Sequence, residues 1–168
     1  LTYEAVKEIP DLIEVTIEDN SGDSEAKYAD NVEKYRISKE AKMKLTLELL
    51  ASDTQTLADI FGHTVASGVL VKKDTDKAPY RAFGFKADDG DNGYDGIWLK
   101  KCVPVKRTNS MTYRTKEGET ITVQTVKIEF DVIPTIKDKE YQHLTNSKDP
   151  GMTTEWATWF DAVPGATT

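Results

Sequence analysis

Ala41-Lys42-Met43-Lys44-Leu45-Thr46-Leu47-Glu48-Leu49, followed shortly by Gln55-Thr56-Leu57-Ala58-Asp59-Ile60-Phe61-Gly62, decides the fold. In the first stretch Ala41, Met43, Leu45, Leu47 and Leu49 alternate with Lys42, Lys44, Thr46 and Glu48. Successive strand side chains point to opposite faces, so the pattern predicts a strand over residues 41–49, buried on one face only. In the second stretch Leu57, Ile60 and Phe61 share one helical stripe, and Gly62 supplies the stop. Ser52 and Gln55 have the spacing of a capping box, so a short helix is expected over residues 53–61.

Strand signals continue on both sides. Upstream, Ile13, Val15 and Ile17 alternate with Glu14, Thr16 and Glu18, and the turn-rich run from Asp19 to Asp23 ends that strand. Residues 25–38 read as one long strand, or as a tightly turned pair about Asp30-Asn31. Downstream, strands are expected at Val69-Leu70-Val71, at residues 80–86 with Phe83 and Phe85 on one face, and from Ile97 to Lys106. Pro104 places the end of that last strand at an edge or a bulge, because proline has no N–H for the ladder.

The longest strand is expected over residues 120–133, where the apolar phase slips at Gln124-Thr125 in the manner of a β-bulge. Residues 107–119 and 137–151 read as polar connections. Trp156, Trp159, Phe160 and Val163 recur at i, i+3, i+4 and i+7, which predicts a second, C-terminal helix over residues 153–162. The expected architecture is mainly β, an antiparallel sandwich or barrel-like fold with one short internal helix and a C-terminal helix. No repeat or linker divides the 168 residues, so a single domain spanning 1–168 is expected.

Composition narrows the function. Hydrophobic residues make up 38% and charged residues 30% of the chain, the balance of a soluble globular domain, and no apolar run approaches the ~20 residues of a membrane helix. The net charge of −7 argues against a surface that grips nucleic acid, which needs clustered Lys and Arg. The chain opens at Leu1, not Met, so a preceding leader or arm is expected. Cys102 is the only cysteine; it allows no intrachain disulfide and reads as a small buried hydrophobe.

Chemical constellations are sparse. His63 and His143 are the only histidines, and His63 follows Asp59 by four residues without a third ligand at usable spacing. The acidic loop Asp88, Asp89, Asp91, Asp95 invites a calcium reading. An EF-hand frame started at Asp89 puts Tyr94 at position 6 and Lys100 at position 12, and one started at Asp91 puts Gly93 at position 3 and Cys102 at position 12. A turn-forming acidic loop fits better. No nucleophile elbow or phosphate cradle is present, and no cofactor or metal site is expected. Lys100-Lys101, Lys106-Arg107 and Arg114-Lys116 form a modest basic cluster, either a solvated strand face or a contact for an acidic patch on another copy.

Taken in order, these features resemble the major tail proteins of long, flexible-tailed phages, the phi-13-like family of tail-tube subunits. The resemblance is carried by Glu8-Ile9-Pro10, Tyr28-Ala29-Asp30-Asn31-Val32, the 41–49 strand leading into Leu57-Ala58-Asp59-Ile60-Phe61-Gly62, and Gly68-Val69-Leu70-Val71. Ala82-Phe83-Gly84-Phe85 and Trp159-Phe160-Asp161-Ala162-Val163 complete it, so that it runs from about Glu8 to Val163. Two features depart from the family: the chain begins late, at Leu1, where members have an N-terminal arm before the first strand, and residues 107–119 match no pattern.

The resemblance implies a structural virion protein, assembled in the bacterial host cytoplasm, whose hexameric rings stack into a hollow tail tube and meet other phage tail proteins. DNA would pass through the lumen without specific binding, and no membrane is involved. It also implies a fold shared with type VI secretion tubes. The expected subunit-interface residues are Tyr28, Asp30, Arg107, Tyr113, Arg114 and Lys116. Two other readings stay open. One is a β-sandwich ligand- or glycan-binding module presenting Tyr80, Tyr94 or Trp98. The other is a hydrolase with facing carboxylates about 5–9.5 Å apart.

Overall fold

A computed structural model of the chain describes residues 3–20, 24–29, 32–38, 42–50, 54–105 and 125–165. Its organising strand is the alternating one. Strand β1 is Leu12–Asn20, β2 is Ser24–Ala29, β3 is Val32–Ser38 and β4 is Lys42–Leu49. Helix α1 is Thr54–Phe61, and β5 (Thr64–Ala66), β6 (Val69–Val71), β7 (Arg81–Asp88), β8 (Tyr94–Pro104), β9 (Val126–Val132) and β10 (Gln142–Asn146) complete the described elements.

Along β4, Met43, Leu45, Leu47 and Leu49 are buried while Lys42 and Lys44 face water. β9 repeats the alternation in antiparallel register, setting Phe130 opposite Leu45 and Ile128 opposite Leu47. β1 flanks the other side, with Ile17 opposite Leu45 and Val15 opposite Leu47. Fully burying one such side chain is worth roughly 1.5–3 kcal/mol, so this three-strand patch is the main source of hydrophobic stabilisation. Leu57, Ile60 and Phe61 of α1 join the same cluster, and Phe83 meets Phe130 edge to face at 4.8 Å between ring centres.

The main sheet runs β1-β4-β9-β8-β10, with β7 on the other flank of β8. All its pairings are antiparallel. One flank of β8 is divided: Asp95–Leu99 pair with β10, and only Cys102–Pro104 reach β9. The strand therefore fans between two neighbours and the sheet curls. β2 and β3 form a separate hairpin, as do β5 and β6. The architecture is mainly β and antiparallel, with one α-helix, as the sequence predicts.

α1 ends where expected. Gly62 adopts φ +73°, and its N–H donates to Ala58 O at 2.8 Å. A Cβ there would lie 2.2 Å from Lys77 O, so both the left-handed backbone and the close approach require glycine. The capping-box expectation rests partly on Ser52, outside the described residues, and the Gln55 amide donates forward to Asp59 Oδ1 at 3.0 Å.

Other elements differ from expectation. The long strand at residues 120–133 is described from Val126 onward, and the Gln124 side of its proposed bulge lies outside the described residues. β5 and β10 were not legible: Gln142-His143-Leu144-Thr145-Asn146 carries almost no apolar alternation, because β10 pairs through its backbone at the margin of the sheet. β8 starts earlier, at Tyr94.

The C-terminal helix is replaced by a succession of turns with a single 3-10 turn at Trp156–Thr158. Residues three apart eclipse each other in that geometry. Trp156 and Trp159 accordingly stand over the same glycine, Gly96, where a Cβ would come within 2.9 and 2.8 Å of them. Aromatic spacing of i, i+3 suits such a turn as well as it suits an α-helix.

Candidate functional site

The features most open to a partner are the sheet margins. Among the described residues β1 pairs only with β4, while β7 and β10 pair only with β8. An unpaired strand edge offers a row of N–H and C=O groups to any extended chain. On β1 the register shifts between Leu12 and Glu14, which leaves Ile13 without a partner opposite it; Leu12 and Ile13 are 42% and 52% exposed.

β7 borders a groove of about 980 Å³, walled on its far side by residues 3–9 and floored by Ile60, Phe83, Phe85 and Val163. Its charged rim is paired off. Lys7 Nζ lies 2.8 Å from Asp59 Oδ2, and Arg81 reaches Glu4 at 3.1 Å and Asp59 O at 3.0 Å. The Lys7 ammonium, aided by Gln55, holds the Asp59 carboxyl below its ordinary range, which suits a structural ion pair better than a proton donor.

Of the expected interface residues, Tyr28 lies on β2 opposite Glu33, at the register shift that follows Lys27. Asp30, Arg107, Tyr113, Arg114 and Lys116 lie outside the described residues, as does Lys106.

Lys100 and Lys101 fit neither reading given to the basic cluster, since both are buried. β8 bulges at this point. Leu99 faces Phe83 and Cys102 faces Arg81, so two residues of β8 stand against Ala82 alone. The extra residue lets Leu99 and Cys102, three apart, both enter the core. Lys100 Nζ bonds to Glu140, whose carboxylate also meets His143 Nε2 at 3.1 Å; these contacts, Lys100 first, lower the Glu140 pKa. Lys101 Nζ lies 4.4 Å above the Tyr80 ring. Sequence reading missed the Lys100–Glu140 contact because it spans 40 positions.

The three aromatics considered for a glycan platform do not share one surface. Trp98 is 3% exposed and donates Nε1 to Trp159 O at 3.1 Å. Tyr80 and Tyr94 are exposed, each with a lysine over its ring, Lys86 lying 3.8 Å from the Tyr94 centre.

The acidic loop closes on a lysine. Asp89 Oδ1 accepts the N–H groups of Asp91 and Gly93, both at 2.8 Å, and Asp89 Oδ2 accepts from Asn146 at 3.2 Å. Lys148 Nζ sits 2.9 Å from Asp91 Oδ2 and 3.3 Å from Asp89 Oδ2. The donors, led by Asp91 N–H, push the Asp89 carboxyl far below its ordinary range. Lys148 thus supplies the positive charge that an acidic loop needs.

His63 is packed, not solvated. Its side chain is 5% exposed, Nδ1 lies 2.8 Å from Asp76 Oδ2, and Nε2 has no hydrogen-bond partner among the described residues. Its expected neighbour Asp59 is committed to Lys7 and Gln55. Cys102 is fully buried, and desolvation pushes its thiol up to about 12. Among the described residues no cluster of three or more His, Cys, Asp or Glu could hold a metal ion, and no helix is long and apolar enough to cross a membrane. No protein-family model matches this chain, and no curated protein is measurably similar to it.

Proposed function

We propose that this protein is a structural assembly subunit, a major tail protein whose copies join into hexameric rings and stack as the DNA-conducting tube of a phage tail. The observation that carries the reading is the main sheet whose marginal strands, β1 at one end and β7 and β10 at the other, have no outer partner among the described residues. Free edges of eight and nine residues are an aggregation liability unless a partner covers them, and copies of the same chain are the most available partner. A heterologous contact whose rotation closes gives a ring.

The β2–β3 hairpin adds support. Among the described residues it pairs with no strand of the main sheet, and an isolated two-stranded hairpin is marginal in water, so a neighbouring subunit would stabilise it. The charge of −7 on each copy suits a wall that a polyanion passes without sticking. In this reading the protein is assembled in the host cytoplasm, meets other tail proteins and resides in the virion.

Negative-stain microscopy at high protein concentration tests the proposal: rings or tubes are expected. A species that stays monomeric by light scattering up to millimolar concentration, with any preceding segment restored, overturns it. A second reading, a glycan-binding module, draws on the exposed Tyr94 ring stacked beside Trp156 at 6.5 Å. It predicts that a Tyr94→Ala change abolishes retention on a glycan array.

A further inference from the structure

The three free edges are not equivalent, and their differences select a pair. β10 has five residues, against nine in β1 and eight in β7. Strand pairing gains with length, since each added residue extends the hydrogen-bonded ladder, so β1 and β7 are the matched edges. They also sit at opposite ends of the same sheet, on either side of β4, β9 and β8.

Charge separates them further. β1 carries Glu14, Glu18 and Asp19 with no Lys or Arg, and all of these carboxylates are exposed. On β7 Arg81 is already paired with Glu4, which leaves the exposed Lys86 and, at the end of the strand, Asp88. Two β1 edges brought together would oppose acid to acid, which disfavours a two-fold contact. The β1 carboxylates set against Lys86 make the favoured contact, and it sets the order of subunits.

Both edges expose apolar surface: Leu12 and Ile13 of β1 are exposed, and Leu12 lines the same groove that β7 borders with Phe83 and Phe85. Among the described residues no backbone hydrogen bond ties residues 3–9 to the outer edge of β7, so that edge is bordered but not capped.

Resting on the assembly reading above, we infer that the joint between neighbouring subunits is β1 of one copy added to β7 of the next, continuing the sheet from subunit to subunit. The contact is head-to-tail, so each copy gives one edge and receives the other. The carboxylates of Glu14 and Glu18 then lie beside Lys86 of the neighbour.

Charge reversal with rescue, together with cysteine cross-linking, tests the joint. The Glu14→Lys/Glu18→Lys variant alters exposed edge residues, and the concentration needed for assembly is expected to rise at least tenfold. Adding Lys86→Glu to the same chain is expected to restore assembly. Cysteines placed in turn at Glu14, Thr16 and Glu18 are each combined with Asp88→Cys, which shares the outer face of β7 with Lys86. At least one combination is expected to give a ladder of disulfide-linked oligomers under oxidation, while either single variant alone gives none.

Rings that form with unchanged concentration dependence in the Glu14→Lys/Glu18→Lys variant, or rings that yield no ladder from any combination, overturn this joint and leave the tube reading standing. Disulfides formed between two copies of a β1 single variant replace it with a two-fold contact. A wild-type chain that never assembles overturns both.

Discussion

β4 and β8 lie in one sheet yet reach burial by opposite routes. β4 is dry on one face and wet on the other, and every second residue is apolar. β8 is buried almost continuously from Gly96 to Pro104, Lys100 and Lys101 included. Its core side carries Leu99 and Cys102, while its other side lies under Trp156 and Trp159, which crowd Gly96. Beyond its backbone ladders the first strand is held chiefly by hydrophobic area, with Glu48 paired to Lys127 at 2.9 Å on its wet face. The second relies on a bulge, a glycine and an ion pair, each of which fails in its own way.

The largest effect is expected in the dry half. Phe130 is fully buried between β4 and Phe83, and Phe130→Ala should cost about 3–5 kcal/mol. Denaturant melts should show that loss, and it should not vary with pH near neutrality, since Leu45 and Phe83, which Phe130 faces, do not titrate. Next comes Gly96→Ala. The added methyl would meet Trp159 Nε1 at 2.8 Å and Trp156 at 2.9 Å, an overpacking worth about 1–3 kcal/mol. Near-ultraviolet dichroism should change with it; an unchanged aromatic signal would show that the tryptophans do not pack on β8.

A smaller, pH-dependent effect should be confined to the β8 half. The folded-state pKa of Glu140 is lowered by Lys100 and then His143, so its contribution is present above the ordinary carboxylate range. It is lost as pH falls through the lowered value. Glu140→Gln should therefore destabilise near neutral pH and match the wild type in acid, in contrast to Phe130→Ala. Smallest is Lys148→Met. Removing the ammonium that pairs with Asp91 and Asp89 should speed hydrogen exchange at the Asp91 and Gly93 amides and leave β4 protection unchanged. Uniform acceleration across both regions would erase the distinction between the two halves.

The same contrast explains what could be read beforehand. β4, β9 and α1 were legible because a repeating apolar period states which face is inside. β10 was not, since its place depends on backbone bonds to β8, which no side-chain pattern records. Lys100 and Lys101 read as surface residues because charge normally means solvent; the bulge, the distant Glu140 beside Lys100 and the Tyr80 ring under Lys101 make their burial tolerable. The C-terminal aromatics gave the right face and the wrong helix. As for the candidate site, β1 and β7 were visible as strands, but their position at the ends of the sheet depends on strand order. Tyr28 was placed on a strand, and the remaining expected contacts fall outside the described residues.

The bulge in β8 has a chemical consequence. By turning Cys102 into the core, it removes the only thiol from solvent and pushes its pKa up to about 12, so almost no thiolate forms at neutral pH. In oxidising surroundings, neighbouring copies would have no reactive sulfur through which to weld to one another.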